Sequence, residues 1–141
     1  MKKKRSLILT CGEMIYLIDS YAWIEYFNGT KKGEVLKKLF LDENKIFLTV
    51  ECCLAEMKGW ALKNNVHFDP FYRMIHANSQ IVKVTEQNWL AAAEERFHQR
   101  ISRPNFGMID AVLLVKQKEL QAKVVSGDIH FKNLKDVIFM D

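Results

Sequence analysis

The strongest constraint on this chain is an alternation. Five short apolar runs, at 15–18, 46–50, 81–85, 124–126 and 137–140, are separated by stretches with helical spacing. Each run has the length of a strand and lacks polar alternation, as a strand buried on both faces does. The stretches between them predict helices over 20–27, 31–41, 51–64, 86–99 and 107–120, with one more starting at Asp69-Pro70. Asn28-Gly29 stops the first and Asn64-Asn65 the third. Asp69 is expected as a cap with Pro70 in the first helical position, and Thr85 as the cap of the next helix. Strands alternating with helices predict one parallel sheet covered on both faces.

A length of 141 residues suits one domain, expected here over 14–141. With 49% hydrophobic and 27% charged residues, the composition excludes disordered, collagen-like and coiled-coil classes. The net charge of +4 comes entirely from Lys2, Lys3, Lys4 and Arg5. Residues 1–13 therefore read as a flexible basic extension ahead of a neutral fold. No apolar run reaches the ~18–20 residues that span a bilayer. The run at 7–9 is too short for a secretory signal, and Cys11-Gly12-Glu13 interrupts it. The odd cysteine count (Cys11, Cys52, Cys53), with no CxxC spacing, points to a cytoplasmic protein without a membrane partner. The four histidines are scattered along the chain, which argues against zinc.

In a parallel α/β sheet, strand ends and the starts of the following helices share one edge, where ligands bind. Four acids belong there. Asp19 ends the first strand, Glu56 sits early in the helix after the second, Asp110 opens the helix at 107–120, and Asp128 ends the fourth strand. Asp110 has Phe106, Gly107, Leu113 and Leu114 as its helical neighbours, and none pairs with a carboxylate. Taken singly, each acid has an ordinary explanation as a cap, a turn residue or a partner of the helix dipole. Four acids on one edge repel one another unless cations sit among them, and an all-oxygen donor set suits Mg²⁺ or Mn²⁺. Glu51 lies about 140° around its helix from Glu56 (five residues at ~100° each) and cannot share that role, and Glu25 reads as surface.

These residues resemble the PIN-domain ribonucleases, most closely the compact VapC-type toxins. The matching pieces are Ile-Asp-Ser-Tyr-Ala-Trp-Ile-Glu-Tyr-Phe at 18–27, Leu-Ala-Glu-Met at 54–57, Ile-Asp-Ala-Val-Leu-Leu at 109–114 and Ser-Gly-Asp-Ile-His-Phe at 126–131. The resemblance spans 14–141. It implies a PIN-like three-layer α/β sandwich, with a central parallel sheet of about five strands flanked by helices. It also implies metal-dependent hydrolysis of RNA by an acidic quartet of Asp19, Glu56, Asp110 and Asp128. Ser20 and Ser126 match the family's small hydroxyl positions and would orient carboxylates or waters. Ser126 replaces a more usual Thr, and Tyr21 replaces a small residue; neither change removes a ligand. One or two ions of Mg²⁺ or Mn²⁺ would serve as cofactor.

An acidic site needs basic groups to hold RNA, and Arg96, Arg100, Arg103 and Lys132 are the candidates, against an ordinary solvated surface. Tyr21 and Tyr26 are candidates for stacking on bases, while Trp23 reads as core. Cys52, Cys53 and Met57 read as core. Val35, Leu36, Leu39, Phe40, Phe68, Phe71, Tyr72 and Ile75 read as either core or the lining of a homodimer or antitoxin groove. The expected function is the toxin of a toxin–antitoxin pair. The alternatives are an RNA-maturation nuclease and a catalytically weak RNA- or protein-binding module of the same fold. A haloacid-dehalogenase-type phosphatase is set aside because Tyr21 stands where its second Asp belongs.

Overall fold

The computed structural model describes residues 14–141, so the expectation for 1–13 lies outside the described residues. The elements run β1 (Met14–Ile18), α1 (Ser20–Phe27), α2 (Glu34–Leu39), β2 (Lys45–Val50), α3 (Glu51–Lys63), α4 (Phe68–Asn78), β3 (Gln80–Val82), α5 (Glu86–Gln99), α6 (Met108–Leu120), β4 (Lys123–Ser126) and β5 (Val137–Phe139). A short 3-10 turn, Ile129–Phe131, follows β4. All five strands are parallel, in the order β3-β2-β1-β4-β5. This is the expected class, a parallel sheet flanked by six helices.

The three central strands are apolar because both of their faces are covered. Leu17, Ile18, Leu48, Val50, Val124 and Val125 have no exposed surface. Trp23 of α1 fills one side of the core, and its indole N–H donates to the Thr49 hydroxyl at 3.0 Å. Thr49 in turn meets the Ser79 hydroxyl at 2.7 Å, and Ser79 donates to the Ile75 carbonyl. A buried polar chain of this kind costs little because each member has a partner. Leu36, Phe40, Phe71 and Ile75 are buried within this chain, with Val35, Leu39 and Phe68 packed against them. Leu36, Phe40, Phe71 and Ile75 are therefore core, while Val35, Leu39 and Phe68 are half-buried and Tyr72 is exposed.

Several element boundaries differ from expectation. The helix expected over 31–41 occupies only Glu34–Leu39. Residues just before it are pinned to the end of α1: the Thr30 hydroxyl bonds the Glu25 carboxylate and carbonyl, and Gly33 N–H donates to Thr30 Oγ1. The third strand, expected over 81–85, ends at Val82, because Val84 N–H donates to the Glu51 carboxylate at 2.9 Å instead of extending the ladder. α4 starts at Phe68 with His67 as its cap, so Asp69 and Pro70 are its second and third residues. Both fit there, since first-turn N–H groups lack intrahelical acceptors and favour a negative charge nearby. The last strand ends at Phe139, one residue earlier than expected.

The chain winds outward from β1 through β2 to β3, then crosses back to lay β4 and β5 on the other side of β1. Strand order therefore reverses between β1 and β4. The crevice for a ligand lies beyond the carboxyl ends of these two strands.

Candidate metal centre

Asp19 is the first residue after β1 and the cap of α1. Its Oδ1 accepts from Ser20 N–H at 2.8 Å, and its Oδ2 accepts from the Ser126 hydroxyl at 2.6 Å. Ser126 ends β4, and its Oγ also accepts from Asp128 N–H at 3.0 Å. One hydroxyl thus joins the ends of the two strands that flank the crevice. Burial pushes the Asp19 carboxyl up to about 7. The Ser126 bond opposes that rise, and the charges of Glu56, Asp110 and Asp128 add to it.

Glu56 reaches the same place from the second turn of α3. The Ser20 hydroxyl donates to its Oε1 at 2.8 Å. Its carboxyl is pushed up by desolvation, against the Ser20 bond, with Asp110 and Asp128 contributing in the same upward direction. Asp110 is the third residue of α6, and its Oδ2 accepts from Gly107 N–H at 3.0 Å. It too is pushed up, first by desolvation, with the Gly107 bond opposing and the Asp128 charge adding. Asp128 caps the 3-10 turn, accepting from His130 N–H at 2.9 Å.

Local capping therefore explains part of what Asp19, Asp110 and Asp128 do. It does not explain why four acids, from segments up to 109 positions apart in the chain, converge so closely that the charges of the others push up the carboxyls of Asp19, Glu56 and Asp110. Such a cluster is relieved by protons or by metal cations. The possible ligand atoms form two groups, Asp19 with Cys53 and Glu56, and Asp110 with Asp128 and His130, each set lying within 4.8 Å. The carboxylate oxygens are the donor set that Mg²⁺ and Mn²⁺ take, so the residues fit such an ion.

His130 is the residue that sequence reasoning missed. Its Nδ1 lies 3.0 Å from Asp110 Oδ2 and 3.5 Å from Asp128 Oδ1. Asp110 therefore does have a side-chain partner, one that comes from 20 residues away and not from its own helix. The signal was present two positions beyond Asp128, since one tight turn folds His130 back over the site. Cys53 is core as expected, yet its thiol also borders Asp19 and Glu56.

The basic candidates divide. Arg100 Nε donates to the Phe106 carbonyl at 2.8 Å, and Arg103 reaches the Gln99 side chain at 3.3 Å and the Lys132 carbonyl at 3.2 Å. These two tie the end of α5 to the segments that carry Asp110 and Asp128. Arg96 lies in the last turn of α5, and Lys132 is exposed with its ammonium 5.7 Å from the Phe139 ring. Tyr21 lies against Gly127, and its hydroxyl accepts from Lys32 Nζ at 3.2 Å. Trp23 is core as expected, and Tyr26 packs edge-on against Trp23 and Phe40. Glu51 is engaged elsewhere, with Val84 N–H, and Glu25, expected at the surface, is half-buried and bonded to Thr30.

No protein-family model matches this sequence, and no curated protein matches it. Solved structures do match its fold. VapC20 of Mycobacterium tuberculosis, a sarcin-ricin loop cleaving toxin, superposes with a TM-score of 0.72 at 14% identity, covering 89% of this chain and 99% of that one. VapBC2 of Rickettsia felis, bound to a DNA fragment from its promoter, gives 0.68 at 17% identity over 89% and 97%. A toxin–antitoxin complex from Klebsiella pneumoniae gives 0.63 at 16% identity over 89% and 98%. The fold is thus that of the VapC toxins. Among the described residues, no helix is long and apolar enough to cross a membrane.

Proposed function

We propose that this chain, folded as the VapC toxins are, is a metal-dependent endoribonuclease whose active centre is Asp19, Glu56, Asp110 and Asp128, and that it acts as the toxin of a toxin–antitoxin pair. The observation that supports the reading is the pair of ligand groups, one holding Asp19 and Glu56 and the other Asp110 and Asp128, carried by segments at the carboxyl ends of the strands near the β1–β4 switch point. A divalent ion, when bound, makes a water more acidic and neutralises charge on the phosphodiester. The four carboxylates would hold one or two ions of Mg²⁺ or Mn²⁺.

The chain's own residues do the rest. Ser126 fixes one oxygen of Asp19, and Ser20 fixes one oxygen of Glu56, so two of the acids are held in single orientations. Gly107 N–H holds Asp110 in the same way. Glu56 is the exposed member of its ligand group and is proposed to orient the attacking water or to take its proton. Lys132 and Arg96 are proposed to hold the phosphates on either side of the scissile bond. Arg100 and Arg103 brace the loop before α6, with any contact to RNA coming second. The partner proteins proposed are a cognate antitoxin and a second copy of this chain. The single domain, 14–141, is proposed to carry the whole activity, with 1–13 as a basic extension.

The test is cleavage of a mixed RNA pool by the purified chain in Mg²⁺ or Mn²⁺, against EDTA and against Asp110→Asn. Cleavage that needs the ion and falls at least 100-fold in the variant supports the reading (about 2.7 kcal/mol of transition-state stabilisation). Equal activity of the two proteins, or inertness of both across metals, overturns it in favour of a binding module.

A further inference from the structure

We propose that His130 is a direct nitrogen ligand of the ion held by Asp110 and Asp128, and that it makes this half of the centre favour a transition ion over Mg²⁺. This rests on the metal-centre reading above. The imidazole is not placed by chance. His130 N–H is bonded to Asp128 Oδ1 at 2.9 Å, and the ring lies beside Phe106 with centroids 5.9 Å apart. That posture turns Nδ1 toward both carboxylates at once, at 3.0 Å from Asp110 Oδ2 and 3.5 Å from Asp128 Oδ1.

A proton on Nδ1 satisfies one of those oxygens, and the other contact is then too long for a hydrogen bond. A cation among the three atoms satisfies all of them. With bonds of about 2.1 Å, neighbouring ligand atoms lie about 3.0 Å apart around an octahedral ion and about 3.4 Å around a tetrahedral one. The two distances match this range. The remaining donors are carboxylate oxygens, which Mg²⁺ accepts as readily as Mn²⁺ does. An imidazole nitrogen breaks the tie, because Mg²⁺ strongly prefers oxygen and keeps its waters, while first-row transition ions take nitrogen readily.

Mn²⁺ is a paramagnetic probe for this arrangement. The full chain is loaded with Mn²⁺ and examined by pulsed electron paramagnetic resonance, unlabelled and with ¹⁵N-histidine. The expected result is a directly bonded nitrogen coupling that changes with the isotope and disappears in His130→Gln. In parallel, calorimetry should show Mn²⁺ affinity falling about ten-fold or more in that variant, with Mg²⁺ affinity changing less than two-fold. The isotope comparison needs no variant and so stands even if His130→Gln folds poorly. Mn²⁺ bound without nitrogen coupling, or with equal losses for the two ions, overturns the ligand assignment and leaves the carboxylate centre standing. Failure of the wild-type chain to bind Mn²⁺ at all overturns the centre itself, and this assignment with it.

Discussion

At the scale of single residues, the site depends on small groups that do two jobs. Ser126 donates to Asp19 and accepts from Asp128 N–H, so it sets the separation of two acids. Gly127, between Ser126 and Asp128, has no room for a side chain: a Cβ there would stand 2.4 Å from Tyr21 Cε1 and 3.1 Å from the Met140 carbonyl. Gly127→Ala should therefore cost about 1–3 kcal/mol in urea unfolding. Adding Tyr21→Ala should recover part of that loss, so the double change costs less than the sum of the single ones. Strict additivity would show that the ring does not press on this turn. Residue types at this scale were only partly legible. The acids could be picked out from their positions at strand ends and helix starts, and the serines only through the family resemblance. His130 was missed because its partner Asp110 lies on another element and no helical spacing relates the two, so its closeness to Asp128 in the chain was the one signal.

At the scale of elements, the strands and the longest helices followed from the pattern of apolar residues, since burial on both faces leaves an unbroken apolar run. α1 and α5 matched expectation at both ends, the second because Thr85 and Asn88 exchange bonds across its first turn. What escaped were boundaries set by contacts between distant residues. The Glu51 carboxylate ends β3 by taking Val84 N–H, and Thr30 shortens α2 by anchoring its entry to α1. Gly33 is part of that anchor. A Cβ at this position would lie 2.4 Å from the Glu25 carbonyl oxygen, which is backbone and cannot swing aside. Gly33→Ala should lower the urea midpoint by an amount corresponding to about 1–3 kcal/mol. RNA cleavage by the fraction that remains folded should be unchanged, because this contact lies away from the four acids. An unchanged midpoint would mean that α2 can draw away from α1 at no cost.

At the scale of the whole molecule, the sheet order puts residues from distant parts of the sequence into one electrostatic field. The sequence offered the four acids and the edge they share. It did not offer how deeply each would be buried, which sets the sign of the consequence for stability. The Asp19 carboxyl titrates near 7 in the folded chain and near 3.8 when unfolded. Between those values the folded state holds the extra proton, so stability of the metal-free chain must fall as pH rises from about 4 to about 7. Glu56 and Asp110 are shifted in the same direction and deepen the fall. A cation that takes the proton's place reverses it, because binding to the folded state alone adds stability.

The measurement that bears most directly on the convergence of the four carboxylates is thermal unfolding at pH 5 and pH 8, in EDTA and in Mg²⁺ or Mn²⁺, for the wild-type chain and Asp110→Asn. The metal-free wild type should melt several degrees lower at pH 8 than at pH 5, a shift of the size that 1–2 kcal/mol produces (about 3–8 °C). The ion should restore most of that difference at pH 8. Asp110→Asn should be the more stable protein in EDTA at pH 8 and should gain little from either ion. A wild type whose melting temperature ignores pH and metal alike, with Asp110→Asn no more stable than it, would mean that the carboxylates do not share a site.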